Sequence, residues 1–312
     1  MATLTERAAP DVAQQRPGLP RRLLDSERGM GYLLLVPTVL ILVVFLAYPF
    51  VFGLWLSLSS AELTNAGRFI GLANFKFEFT VDRPFLQALG NTFLYTGVTT
   101  VFKLGLGMGM ALLLNQAFPF QRFVRAAALL PWIIPTVLST LAWKWMFDPT
   151  FSVVNWAAVH MHLVGYPGPN WFGSTGTALA ALMIVNTWRG FPFYGVSILA
   201  GLQTIPQDLY EAARVDGASR WHQFTHITLP MLRPVLLVVL LLSTILTFAD
   251  FQVPFVLTNG APFNSTHVLA TWAYQWGVPG GAIGLGAAVS VVLFPLLAIL
   301  VAATLIVVRR PD

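Results

Sequence analysis

No charged side chain interrupts the chain between Arg28 and Glu62. An apolar run of that length exceeds the roughly 20 residues with which an α-helix crosses a bilayer. It also exceeds the core of about 7–15 residues in a cleaved secretory signal, so it predicts a retained first span. Inside a bilayer every backbone polar group has to be satisfied internally, which leaves helices or a closed barrel as the possible folds. Long unbroken apolar runs select helices. Further runs near 86–114, 125–147, 174–201, 234–258 and 282–308 predict six spans and an all-α, polytopic membrane protein. Composition agrees: 56% of the residues are hydrophobic and 10% charged, against about 25% charged in a soluble domain. The absence of cysteine excludes a disulfide scaffold, a thiolate metal site and a cysteine nucleophile. The net charge of +5 does not imply nucleic acid, because the basic residues do not gather on a soluble face.

Residues 1–29 are polar and rich in Pro and Arg, and are predicted to form a flexible tail ahead of a transmembrane domain over 30–312. With the N-terminus inside, 12 of the 18 basic residues fall on the cytoplasmic side. Only Arg68, Lys76 and Arg83 fall outside, while Lys103, Lys144 and Arg189 lie within spans. This bias predicts both termini in the cytoplasm, and an even number of spans agrees with it. Trp132, Trp143, Trp145, Trp171, Trp272 and Trp276 mark span ends and read as interfacial anchors. Pro131 and Pro135 predict a kink in the third span. Gly105 and Gly109, and the series Gly280, Gly284 and Ala288, suggest close helix packing.

The segment 202–233 is longer than a connection between two spans requires. Pro206 suits a first helical turn, with Asp208 and Glu211 near the positive end of the helix dipole. Gly217 supplies a left-handed stop, and Ser219 can cap a second helix bearing Trp221, Phe224 and Ile227 on one face. Leu229-Pro230 is expected to end that helix before the next span begins at Pro234. The result is a cytoplasmic helix–turn–helix with exposed apolar groups, built for a partner to dock.

Glu211-Ala212-Ala213, three residues, Gly217, nine residues and then Ile227-Thr228-Leu229-Pro230, with Asp216, Ala218 and Phe224 in place, resembles the coupling signature of permease subunits of binding-protein-dependent ABC importers. Leu130-Pro131 through Trp143 and Phe147-Asp148-Pro149 to Asn155 is similar to the carbohydrate-importing branch, to the first of its two unlike permease subunits, of the maltose or glycerol-phosphate type. Ser152 departs from the glycine expected there. The resemblance covers nearly the whole chain after residue 30. It implies the type I permease fold in a bacterial or archaeal plasma (inner) membrane, surrounded by lipid. It also implies a second permease subunit, two cytoplasmic ATPase subunits that bind ATP and Mg, and an extracytoplasmic solute-binding protein. Glu211, Ala212, Ala213, Asp216, Gly217, Ala218, Phe224, Ile227, Leu229 and Pro230 would then form the joint with the ATPase. Independently of the resemblance, no G-x-x-x-x-G-K-[ST] phosphate loop is present, so ATP energy must come from another chain.

An ionisable group at mid-membrane costs about 2.5–3.5 kcal/mol on insertion scales and needs a partner or a purpose. Asn186, Arg189, Gly190 and Phe193 share one face of the fourth span, and Ser243, Thr247 and Asp250 share one face of the fifth. These seven residues are the candidate solute site. Their hydroxyl, amide and charged groups suit the polar edges of a sugar, and an aromatic ring suits its apolar face. Arg189 and Asp250 either contact solute or pair with each other to fix helix register, and Lys103 is a further candidate. An ion-coupled secondary transporter using Lys103, Arg189 and Asp250 is the rival, although it leaves 202–233 unexplained. His222 and His226 stand i, i+4, but lack the Glu of H-E-x-x-H, and no metal site is expected. His160, His162 and the stretch 166–171 form an outer loop suited to seating a delivery protein. No catalytic constellation can be assembled on one side of the membrane, so enzymatic chemistry is not expected.

Overall fold

The computed structural model describes residues 27–309, so nearly all of the predicted tail over 1–29 lies outside the described residues. The chain divides into two units, up to Gly53 and from Leu54 onward. The described part of the first unit belongs to a helix formed by α1 (Glu27–Leu42), a π-helical turn (Val43–Ala47) and α2 (Tyr48–Ser57). Most of its apolar side chains are exposed, with Leu54 and Leu56 half-buried near its end.

The second unit contains α3 (Ala73–Thr80), α4 (Arg83–Leu114), α5 (Gln121–Ala128), α6 (Leu130–Ile133), α7 (Thr136–Met146), α8 (Val153–His160) and α9 (Thr175–Leu202). There follow α10 (Gln207–Val215), α11 (Arg220–Gln223), α12 (Leu229–Phe248), α13 (Gln252–Leu257), α14 (Leu269–Gly277) and α15 (Ile283–Arg309). Among the described residues no strand longer than an isolated bridge occurs. Four helical stretches are long and apolar enough to cross a membrane, namely Arg28–Ser57, Arg83–Leu114, Arg220–Phe248 and Ile283–Ala302, and a fifth counts if α5–α6 and α7 form one span. The 28-residue α9 has the length, but Asn186, Thr187 and Arg189 dilute its apolar character.

Two expected spans differ from their prediction. The third is broken rather than kinked: Gln121–Ile133 and Thr136–Met146 meet at 88°. Ile134 and Pro135 are extended, with ψ of 131° and 128°, because a proline drives the residue before it out of the helical region. The fifth, expected over 234–258, ends at Phe248, and α13 starts anew four residues later. Asp250 causes the restart by accepting the backbone N–H groups of Gln252 (3.1 Å) and Val253 (3.4 Å) on Oδ1.

Packing of α4 on α9 forms the centre. Gly107 faces Tyr194 and Gly195 so closely that a methyl there would collide with the Tyr194 side chain. Gly105 and Gly109 meet nothing within 4 Å, so the predicted glycine pair is not the contact. Gly107 is, because it falls on the buried face of α4 with Thr99, Lys103 and Ala111. The second small-residue series fares differently. Gly284 packs against the Ser59 carbonyl, and Ala288 is fully buried. Asp82 begins α4, accepting the Phe85 N–H on Oδ1 (3.2 Å), while its Oδ2 accepts the indole N–H groups of Trp272 (2.8 Å) and Trp276 (3.0 Å). Ser152, the departure from the expected glycine, caps α8 through the Asn155 N–H (3.1 Å).

Candidate functional site

Between α9 and α12 lies a cavity of about 370 Å³ whose walls include Lys103, Trp132, Arg189, Gly190, Phe193, Ser243, Thr247 and Asp250. Six of the seven residues singled out in the sequence thus line one space. The seventh, Asn186, is buried behind it and donates to Asp250 Oδ2 at 2.8 Å. Tyr95 donates its hydroxyl to the same oxygen at 2.7 Å. With Gln252 and Val253 on Oδ1, four donors hold one carboxylate.

The proposed pairing of Arg189 with Asp250 is not formed: no ion pair within 4.0 Å joins them. Asp250 is satisfied by neutral donors, and Arg189 Nη1 reaches instead to Thr136 Oγ1 at the start of α7 (2.5 Å). Lys103 Nζ donates to Thr247 Oγ1 at 2.9 Å, tying α4 to α12. Glycine at 190 makes this possible. A methyl there would stand 2.5 Å from Lys103 Cε and 3.1 Å from Nζ, so the lysine stem lies across the bare backbone of α9. Trp132, read from sequence as an interfacial anchor, instead lines the cavity and stacks on Phe193 with ring centroids 6.0 Å apart and planes 23° apart. The break at Pro135 turns the α6 residues toward α9, and the kink expected there gave neither its size nor its direction. Gln252 and Phe251 were also missed, because the α13 restart was read as continuous span. Lys144 is exposed and donates to the Val256 carbonyl at 3.2 Å.

Below the cavity, the segment over 202–233 holds its signature residues outward. Glu211, Ala212, Asp216, Gly217, Leu229 and Pro230 are exposed, and Ala213, Ala218, Phe224 and Ile227 are half-buried. α10 ends in a Schellman motif: Ala218 N–H bonds the Ala213 carbonyl (2.8 Å) and Gly217 N–H the Arg214 carbonyl (3.1 Å), with Gly217 at φ +77°. Ser219 then caps α11 through the His222 N–H (3.2 Å). Val215 and Trp221 are 88% and 72% exposed, an apolar surface beside the Glu211–Arg214 ion pair. Pro206 sits one position earlier than expected, as the cap of α10. Leu229-Pro230 does not end the second helix. A π-helical turn over Phe224–Thr228, closed by the Leu229 N–H on the Phe224 carbonyl, carries the helix past Pro230 and into α12. Such a turn absorbs a proline that would break a regular α-helix. The segment is anchored by buried Leu202, Ile205 and Leu232 and by a 2.9 Å contact between the Tyr210 and Thr228 hydroxyls. The expected second helix, α11, therefore runs on through the π-helical turn into α12, and whatever moves α11 bears directly on a helix that walls the cavity.

A polar cavity inside a bundle of apolar helices, with an exposed helical segment run into one of its walls, is the arrangement of a membrane permease subunit. Residues 103–311 match the family described as binding-protein-dependent transport system inner membrane component, and the chain belongs to that family. It is 37% identical over 299 residues to the sulfoquinovosyl glycerol transport system permease protein SmoG of Agrobacterium fabrum, covering 94% of this chain and 96% of that protein. It is 34% identical over 279 residues to the trehalose/maltose transport system permease protein MalF of Thermococcus litoralis, covering 89% and 93%. The fold is similar to a chain in the crystal structure of a bacterial ABC transporter involved in import of the acidic polysaccharide alginate, with a TM-score of 0.80, 24% identity and coverage of 93% and 99%. The protein is the multi-pass permease subunit of an ABC importer, a transport subunit rather than an enzyme. Family membership displaces the ion-coupled rival.

Proposed function

We propose that this subunit carries a carbohydrate or polyol derivative through the cavity between α9 and α12 into the cytoplasm. The observation that carries the reading is the continuity of the exposed segment with α12. Trp221 at one end and Thr247 at the other belong to one helical run, Arg220–Phe248. Closure of an ATPase pair against Glu211, Gly217 and their neighbours would bias α12 between two positions and expose the cavity first to one side and then to the other. Hydroxyl, amide and charged groups beside the Trp132–Phe193 stack offer a pyranose both its polar and its apolar contacts. The relatives named for sugars support the solute class.

On this reading six spans cross the membrane, with α5–α6 and α7 as one broken crossing, α9 as another and both termini in the cytoplasm. A second, unlike permease subunit completes the path, lipid surrounds the bundle and an extracytoplasmic binding protein delivers the solute. The outer segment from α8 to Trp171, braced where Asn155 bonds Trp171 Nε1 (2.7 Å) and the Pro169 carbonyl (3.0 Å), is the candidate seat for that protein. The test is solute-stimulated ATP hydrolysis by the assembled transporter in lipid. Thr247→Val is expected to raise the solute concentration required, and Glu211→Ala to lower the maximal rate without changing that concentration. Identical behaviour of the two variants would overturn the division between cavity and coupling segment.

A further inference from the structure

The charges around the cavity do not cancel. Lys103, Arg189 and Asp250 line it together, two cations and one anion. Asp250 is occupied by Tyr95, Asn186 and two backbone N–H groups, so it is held as part of the wall. Each cation spends one donor on a neutral hydroxyl, Lys103 on Thr247 and Arg189 on Thr136. An ammonium has three donors and a guanidinium five, so two of the lysine's and four of the arginine's are left for another acceptor. Lys103 is only 3% exposed. A cation buried that deeply, with no carboxylate partner within 4.0 Å, demands compensation that a neutral hydroxyl cannot give. The lysine lies across the backbone of Gly190, adjacent in sequence to Arg189, and both cations line the one cavity. A guanidinium beside an ammonium matches a carboxylate, sulfonate or phosphate, whose oxygens accept from both.

Resting on the reading of this cavity as the solute site, we propose that the solute is an anionic carbohydrate whose single oxyanion group seats between Lys103 and Arg189. Its ring lies toward the stacked faces of Trp132 and Phe193. The volume of about 370 Å³ belongs to a small glycoside rather than a long polymer enclosed whole.

The chain has no cysteine, which permits a direct measurement of the cavity's sign. Leu246 lines the cavity and is 67% exposed, so Leu246→Cys in the assembled transporter supplies one thiol on this subunit. Its labelling by sulfonatoethyl and trimethylammonium-ethyl methanethiosulfonate is followed by mass on this chain. Relative to a free thiol in solution, the anionic reagent is expected to be favoured by about tenfold. The preference should vanish with Lys103→Met or Arg189→Met, survive Lys103→Arg and grow with Asp250→Asn. Galacturonate should protect the thiol at about one-tenth the concentration at which galactose does. Equal labelling rates, a preference for the cationic reagent, labelling by neither, equal protection by the two sugars or protection by neither would each overturn the proposal. Solute-stimulated ATP hydrolysis that persists in the face of such a result would leave the permease reading standing and remove only the charge. Co-purification with the ATPase subunits separates a lost charge from a lost fold in each variant.

Discussion

Asn186 holds Asp250 across the interface of two helices: its Nδ2 donates to Oδ2 at 2.8 Å, from the middle of α9 to the gap between α12 and α13. The carboxylate is thereby a fastening for the broken end of α12 rather than half of an ion pair. Removing one of four donors to a buried carboxylate costs about 1–3 kcal/mol. Asn186→Leu is therefore expected to lower the thermal midpoint of the detergent-solubilised complex by several degrees. An unchanged midpoint would show that Tyr95 and the two backbone groups suffice.

Glycine at 190 is a demand of Lys103 rather than of the helix. An added methyl would stand 2.5 Å from Cε, which the lysine can relieve only by swinging its amine away from Thr247. Gly190→Ala is expected to leave assembly intact, since alanine favours a helix by up to about 1 kcal/mol over glycine. Solute-specific uptake should nevertheless fall about tenfold, as expected when a buried donor is displaced by over 1 kcal/mol. Uptake into proteoliposomes at several solute concentrations checks this, and wild-type kinetics would remove Lys103 from the site.

Gly217 makes the opposite kind of demand. A methyl at this position meets nothing within 4 Å, so space is not the constraint; φ of +77° is. An L-residue there costs about 1–2 kcal/mol, except that asparagine visits this region routinely. Gly217→Val is expected to remain in the membrane and lose solute-stimulated ATP hydrolysis, whereas Gly217→Asn should keep most of it. If asparagine failed as badly as valine, the partner would require the bare backbone itself, and the turn geometry would not be the cause.

The helices were legible wherever an uncharged run was long, and the cap residues of α11 and the glycine stop of α10 followed from local chemistry. The cavity-lining residues of α9 and α12 were legible because a polar stripe at helical spacing stands out in an apolar span. The size of the break at Pro135, where only a kink was expected, and the restart at Asp250 were not. Hydropathy is blind to direction, and Asp250 caps α13 inside a run that reads as one span. The signal was present in Asp250 followed by Pro254, a cap and a first-turn proline, and in the Ile134-Pro135 pair. Gly107 was recoverable as well: it stands four residues after Lys103, on the face where polar groups recur, whereas Gly105 and Gly109 point elsewhere.

Two titratable groups outside the spans set opposite limits on stability with pH. Glu78, on α3, is fully buried, and burial is the main cause that pushes its carboxyl up to about 9, with the neighbouring Asp82 second. No N–H or hydroxyl donor reaches either Glu78 oxygen, and Asp82 raises the carboxyl further, as an acceptor for its proton and as a like charge. The folded state then holds a proton that the unfolded chain releases near 4.5. Its contribution is complete below that value and is lost as pH rises toward 9. His267 runs the other way, since burial brings its imidazole down from 6.5 to about 4. The folded ring is neutral where the unfolded one is charged, so its contribution is complete above 6.5 and is lost as pH falls toward 4. Thermal midpoints measured from pH 4 to 9 should therefore pass through a maximum between about 5 and 7. Glu78→Gln should flatten the alkaline side, raising the midpoint at pH 8.5 by several degrees while changing little at pH 5. An alkaline limb unaltered in that variant would mean that Glu78 is ionised in the folded protein and that water reaches it.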